Sequence, residues 1–447
     1  MFKRVLIANR GEIAQRIMRA CRELGIETVC VYSTADKDAP YLRDADEAIC
    51  IGPGPSKDSY LNISRIISAA EVADVDAIHP GYGFLAERAD FSEICRECKI
   101  EFIGPSPEAM SKLGDKIEAK RYARAAKVPV FAGTEGEIEE LDEAVEVAAE
   151  IGYPVIIKAS AGGGGRGMRI CRNEASLRTN VAKAQQEALA AFGNGGVFVE
   201  KFLEHARHVE VQVIGDKHGN AIHLWERDCS MQRRHQKIIE EAPAPGVERK
   251  KIEKVCEAAA KLIKSADYAG AATVEFLMDD KQNFYMLEVN TRVQVEHPIT
   301  EMITGIDIVK TSILVAAGEK LAHKQKDIKV NGHSIECRIN AEDHTKDFRP
   351  SAGLIETYRA PGGLGVRIDS HVCAGYRVPP NYDSMIGKLI VHAETREAAI
   401  TRAARALHEF EVGPIKTTIP LHAELMQNSD FKKGGVDIHY LERLLKG

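Results

Sequence analysis

The segment AATVEFLMDDKQNFYMLEVNTRVQVEHP, residues 271–298, sets two acidic side chains in a pattern that could bind metal. Two strand-like runs flank the polar turn DDKQN. If that turn centres between Lys281 and Gln282, Glu275 faces Glu288 across an antiparallel ladder. Carboxylates about 5 Å apart repel by roughly 3 kcal/mol at an effective dielectric near 20, and like charges directly opposite are disfavoured. A divalent cation reverses that sign. Oxygen ligands without histidine or cysteine suit Mg²⁺ or Mn²⁺, and Asn290, on the same face by period two, adds another oxygen. The alternation predicts that the strand runs on. Glu288, Asn290, Arg292, Gln294 and Glu296 then share one face, and Leu287, Val289, Thr291, Val293 and Val295 the other. A solvated edge strand also alternates, but its polar face is usually rich in lysine and threonine. Acids, amides and a single arginine point to function.

A second stretch, KASAGGGGRGMR at 158–169, is nearly devoid of side chains from Gly162 to Gly167. Each glycine disfavours ordered structure by roughly 0.5–1 kcal/mol relative to alanine, so close backbone approach or movement is implied. The run satisfies GxGxxG on paper, but a strand follows it rather than a helix, and Met168-Arg169 stands where Walker A needs Lys-Ser/Thr. A glycine loop between antiparallel strands can instead fold over phosphates as a flap. Lys158, in the apolar strand PVIIKAS, needs a partner, either a nucleotide phosphate or a buried acid. RDCSMQRRHQK, residues 227–237, reads as a positive lining for anionic substrates. Arg338, in SIECRIN, is either functional or paired with Glu336 or a neighbour.

These residues need rigid elements. RVLIAN, ETVCVYS, DAIHPG and EFIGP read as strands separated by helical segments, which predicts a largely parallel α/β sheet over residues 1–113. Its first turn, ANRGEIA, lacks the dinucleotide fingerprint. Helices are predicted at 115–127, 139–151 and about 174–191, with strands YPVIIKAS, MRICR and VFVEKFLE around the glycine run. Later residues alternate strands and helices, ending with the helix TREAAITRAARALHEF. A chain of 447 residues with a 44% hydrophobic fraction supports two to four domains. A net charge of −6 argues against nucleic acid or an anionic membrane as partner. The N-terminal apolar run is too short for a signal peptide, and no stretch is long enough to span a bilayer. Ten scattered cysteines, including Cys95 and Cys98, fit free thiols in a reducing cytoplasm better than zinc ligands.

IANRGEIA, HPGYGFL, GDK, YPVIIKAS, GGGGRGM, RHVEVQV, ERDCSMQRRHQK, EEAPAP, EVNTRVQVEHP, TEMITG, ECRINAED and YDSMIGKL together resemble the biotin carboxylase family of the ATP-grasp superfamily, from end to end. The resemblance implies an ATP-grasp fold of class α/β (α+β) with a Rossmann-like preATP-grasp domain at 1–113. A helical linker at 114–130 and a mobile lid at 131–203 follow. The catalytic core and C-terminal extension then occupy 204–447. It implies Lys116 and Lys158 as phosphate ligands under Gly164 and Gly165. Glu200, Lys201 and Leu203 would form an adenine-contacting hinge, with His208, Gln232 and His235 as polar nucleotide-site residues. Glu275 and Glu288, with Asn290 nearby, would hold two Mg²⁺ or Mn²⁺ ions. Lys237, Arg292, Gln294 and the Val295 backbone would form a bicarbonate pocket, Glu296 the general base, and Arg338 the group that stabilises the biotin enolate. Expected partners are a biotin carboxyl carrier protein, carboxyltransferase subunits and a second copy in a homodimer. Biotin is expected to arrive on the carrier, because no AMKM-type lysine motif is present. Acetyl-CoA carboxylase is the expected system, with pyruvate or another acyl-CoA as the alternative acceptor.

Overall fold

The computed structural model describes residues 1–138, 140–160 and 168–446. Strands Arg4–Ile7, Glu27–Ser33, Glu47–Gly52, Ala77–His79 and Glu101–Phe102 form a parallel sheet in which the first strand is central. Parallel neighbours need crossovers; helices Gly11–Glu23 and Ala89–Glu97 supply two of them, and helix Ile63–Val72 carries the chain from the edge strand Glu47–Gly52 across to Ala77–His79. Four of these strands are the predicted apolar runs. The fifth, Glu47–Gly52, was not predicted: it lies at the sheet edge, and only Ile51 in it is buried.

Val155–Ala159 pairs antiparallel with Arg169–Cys171 and with Val197–Lys201. Period two divides this small sheet. Val155, Ile157, Cys171, Val197 and Val199 pack with Ala144 and Ala148 of helix Leu141–Ile151 and with Leu177 and Val181 of helix Glu174–Phe192. Ile156, Lys158, Phe198 and Glu200 face the other way, into a cavity. The predicted glycine loop, with Gly164 and Gly165, lies outside the described residues.

The largest sheet is antiparallel and eight-stranded, in the order Phe284–Asn290, Gly270–Met278, Arg207–Gly215, Ala221–Arg233, Gln236–Ala242, His333–Asn340, Met385–Ala393, Val366–Ser370. At one end Val209, Val211, Val213, Val274 and Phe276 bury against helix Arg249–Ser265. The alternating residues His208, Glu210 and Glu275 point to the opposite face, where the cavity lies. No described helix is long and apolar enough to cross a membrane, and the ten cysteines are free thiols.

Candidate active site

A cavity of about 1000 Å³ opens between the small sheet, the large sheet and the N-terminal domain. Every site residue named from the sequence that falls among the described residues lines it. One end is formed by Lys116, Lys158, Glu200, Lys201, Leu203 and His235, with apolar walls from Phe131, Ile156, Phe198, Leu277 and Leu287. The other end holds Lys237, Glu275, Glu288, Asn290, Arg292, Gln294, Val295, Glu296 and Arg338, with His208 and Gln232 between.

The carboxylate pair forms as expected, by a different route. Met278 pairs with Phe284 and Phe276 with Met286, so the turn centres on Lys281 itself. That register alone would set Glu275 opposite Leu287. A bulge between Phe276 and Glu275 restores the pairing of Glu275 with Glu288, as an extra residue on one strand does. Leu287 and Glu288 both reach the cavity as a result. Glu275 also pairs with Glu210 on its other side, and Glu210 with Arg227, so three acids and an arginine form one cross-strand row. Burial and the facing Glu275 push the Glu288 carboxyl up. The buried Glu275 carboxylate and the half-buried Glu288 carboxylate face each other, with the Asn290 amide beside them, and form a donor set that fits a hard divalent cation.

Lys237 neutralises much of the remaining charge. Its Nζ lies 2.6 Å from Glu210 Oε2, 3.0 Å from Glu275 Oε1 and 2.5 Å from Glu296 Oε1. Burial opposes its charge, but these acids prevail and raise its pKa well above the usual lysine range. His208, 3.3 Å from Glu275 Oε2 and 3.5 Å from Glu210 Oε2, is lifted to about 9 against burial, chiefly by Glu275. The ligand-type atoms of His208, Glu210 and Glu275 converge within 4.8 Å, with Lys237 bonded to both acids.

The predicted strand stops at Asn290. Residues 291–296 form a loop into helix His297–Thr304, whose first turn carries Pro298. Proline supplies no ladder donor and suits a helix start, which ends the extended pattern. The five alternating polar residues nonetheless converge on the cavity. Glu296 Oε1 meets Lys237, and Oε2 lies 3.0 Å from Arg338. Burial and Glu210 work to raise the Glu296 carboxyl, but Lys237, Arg338 and Arg227 hold it below its ordinary value. Gln294 donates to Glu275 Oε1 at 2.8 Å. Arg292 pairs with Glu87 at 3.0 Å and donates to Asn290 Oδ1 at 3.0 Å.

At the other end Glu200 sits between two ammonium groups, with Lys158 at 2.9 Å and Lys120 on its second oxygen. Burial lowers the pKa of Lys116. The Lys201 ammonium donates to the carbonyls of Gly152 and Tyr153, at 2.9 and 3.2 Å, so its charge is already engaged.

Arg338 does pair with neighbouring acids, Glu240 and Glu296, rather than with Glu336: its Nε donates 2.6 Å to Glu240 Oε1. Another sequence expectation needs correction. The stretch 227–237 is not a uniformly positive lining. Arg227 is consumed by Glu210, and Arg233 and Arg234 by Asp347; Gln232, His235, Gln236 and Lys237 face the cavity. Sequence reading also passed over Glu87, Lys120, Glu210 and Glu240. Glu210 alternates with the valines of RHVEVQV, a detectable signal, whereas the others pair across long gaps in sequence.

The chain matches three family descriptions in succession. These are Biotin carboxylase, N-terminal domain, at residues 1–110; Carbamoyl-phosphate synthase L chain, ATP binding domain, at 115–324; and Biotin carboxylase C-terminal domain, at 336–443. It is 55% identical to Biotin carboxylase 1 of Bacillus subtilis over 99% of this chain and 98% of that one. A biotin carboxylase–β,γ-ATP complex from Campylobacter jejuni superposes with a TM-score of 0.96 at 52% identity, covering 99% of both chains. The biotin carboxylase domain dimer of Hydrogenobacter thermophilus 2-oxoglutarate carboxylase, crystallised with MgADP, ADP and bicarbonate, gives 0.94 at 50%, over 99% of this chain and 98% of that one. A crystal structure of the biotin carboxylase component of a pyruvate carboxylase gives 0.86 at 51%, over 100% of this chain and 99% of that one. The α/β architecture is the ATP-grasp fold of these neighbours. Matched along its whole length in sequence and in fold, the chain belongs to the biotin carboxylase family of ATP-grasp ligases.

Proposed function

We propose that this enzyme carboxylates biotin on a biotin carboxyl carrier protein, using ATP and bicarbonate by way of carboxyphosphate. The observation that carries this reading is the Glu296 carboxylate bridging Lys237 and Arg338 beside the facing Glu275–Glu288 pair, in one cavity. Glu275 and Glu288, with Asn290, would hold Mg²⁺ or Mn²⁺, two ions in all. The bound metal would offset phosphate charge. Lys116 and Lys158 bind and orient the phosphates, and the apolar walls take the adenine. Lys237, Arg292, Gln294 and the Val295 backbone hold bicarbonate. Glu296 takes its proton at the side-chain carboxylate. The deprotonated oxygen attacks the γ-phosphorus, the bond to the β-phosphate oxygen breaks, and ADP leaves. Carboxyphosphate then divides into CO₂ and phosphate, and the phosphate removes the ureido proton of biotin. Arg338, oriented by Glu240 and Glu296, stabilises the enolate that captures CO₂.

Residues 131–203 are read as a lid over a core beginning at 204, with Gly164 and Gly165 closing on phosphate. Acetyl-CoA carboxylase is the proposed system, in the cytoplasm, with carboxyltransferase subunits and a homodimer as the working assembly. The solved relatives also come from pyruvate and 2-oxoglutarate carboxylases, so the final acceptor is tested by pull-down of carrier and transferase from native extract. Light scattering tests the dimer. The reaction itself is tested by following ADP release and carboxybiotin separately, with free biotin as acceptor. ADP release that requires bicarbonate and carboxybiotin that requires both are expected. ATP hydrolysis indifferent to bicarbonate would overturn the reading.

A further inference from the structure

Lys388 is a fully buried lysine on strand Met385–Ala393, with no part in the reaction above. It stands directly opposite Arg338 on the neighbouring strand, so both side chains leave the same face of the sheet. The two cations grip consecutive residues. Arg338 bonds the Glu296 side chain, and Lys388 Nζ donates 2.8 Å to the Val295 carbonyl. Lys388 also pairs with Glu12 Oε1 at 3.1 Å, and that oxygen accepts the Tyr82 hydroxyl. Tyr82 and Val295 both line the cavity.

The loop at 291–296 lies outside the ladder, so its carbonyls need other partners. Arg292 donates to Val293 O at 3.3 Å, His297 Nδ1 to Gln294 O at 2.7 Å, and Lys388 to Val295 O. A peptide unit is planar, so holding a carbonyl also sets the direction of the N–H across the bond. Lys388 therefore orients the Val295–Glu296 peptide. Glu12 and Asp369 supply opposite charge around it, Arg367 adds like charge nearby, and burial pushes the Glu336 carboxyl up and the His297 imidazole down.

We propose that Lys388 is a positioning residue: a buried strut that holds the Val295–Glu296 peptide at one wall of the cavity and, through Glu12, Tyr82 at the other. This rests on the assignment of that loop to bicarbonate. A plain structural ion pair with Glu12 is the competing explanation, and a double variant separates the two. Lys388→Met alone leaves the Glu12 carboxylate buried and uncompensated, which is strongly destabilising. Combining it with Glu12→Gln removes both charges and keeps an acceptor for Tyr82, so a melting temperature close to wild type is expected. The Val295 carbonyl still lacks its donor. Bicarbonate-dependent ADP release is then measured for Glu12→Gln and for the double variant. In the double variant the KM for bicarbonate is expected to rise on the order of tenfold to a hundredfold, with the KM for ATP within about twofold. Glu12→Gln alone, which retains the tether, stays nearer wild type. A folded double variant with a wild-type KM for bicarbonate would overturn the proposal, as would a double variant that cannot fold while Glu12→Gln does, because Lys388 would then serve stability alone. Wild-type ADP release that ignores bicarbonate would instead defeat the functional reading on which the proposal rests.

Discussion

At Glu296 two cations share one carboxylate, Lys237 on one oxygen and Arg338 on the other. Ionised and held below its ordinary pKa, the group is available to take a proton but is a weak base while both cations remain on it. A substrate anion that draws Lys237 away would strengthen it. Glu296→Gln is therefore expected to depress both bicarbonate-dependent ADP release and carboxybiotin formation. Arg338→Met should largely spare ADP release and depress carboxybiotin by about a hundredfold to a thousandfold, the usual loss for one donor aimed at developing charge. Equal losses in both assays would make Arg338 a general anion clamp. Glu288→Gln tests the neighbouring pair. It relieves repulsion from Glu275, so metal-free protein should melt no lower than wild type. The Mg²⁺ concentration for half-maximal turnover should rise by roughly tenfold to a hundredfold, and an unchanged Mg²⁺ titration would remove Glu288 from the metal site.

The bulge in the hairpin does two jobs at the level of the strand. It restores the Glu275–Glu288 pairing that a turn centred on Lys281 would have lost, and it turns Leu287 into the cavity. Deleting Leu287 removes the extra residue without disturbing the pair, since Phe276–Met286 then runs directly on to Glu275–Glu288. That variant is expected to keep its Mg²⁺ dependence while the KM for ATP rises, because an apolar wall next to Leu277 is gone. Truncation of a buried leucine typically costs about 2–5 kcal/mol in a core; a half-buried cavity wall should fall below that. Loss of metal dependence would mean that the bulge, rather than the pairing, sets the carboxylate geometry.

Across the molecule, several histidines are buried without charge. Burial holds His79 and His371 at about 3 and His223 and His422 at about 4. The unfolded chain binds these protons near the ordinary value of about 6.5, so between pH 6.5 and 4 it holds more protons than the native state. Stability is full above that window and lost as pH falls through it. Each group contributes up to about 1.4 kcal/mol per pH unit, so the four together give at most about 5.6 kcal/mol per unit. A steep fall in melting temperature between pH 6.5 and 5 is expected, with the four imidazoles still neutral by ¹⁵N NMR in the native protein at pH 5. Native imidazoles already protonated at pH 5 would contradict it.

Local periodicity was enough to expose much of the site. Residues two apart in one strand share a face whatever surrounds them, so EFLMDDKQNFYMLE exposed the acid pair, PVIIKAS the cavity-facing Lys158, and ETVCVYS a strand whose limits hold as Glu27–Ser33. The polar residues after Asn290 were also visible, although Pro298 turns their strand into a loop. Pairings between distant segments were not legible. Lys388 meets Val295 across 93 residues, Arg338 meets Glu240 across 98, and Arg292 meets Glu87 from another domain. No local pattern marks which buried charge will neutralise which. That choice follows from strand order and register in the eight-stranded sheet, where Glu210, Glu275 and Glu288 are neighbours and Arg338 stands beside Lys388. Side-chain type and spacing therefore marked the acid pair, the polar series after it and Lys158 as able to do chemistry, and the family resemblance carried the rest of the site. Tertiary structure decided which carboxylates stay charged and which cations hold them, because ion pairing in a buried site depends on distances that only the assembled sheet sets.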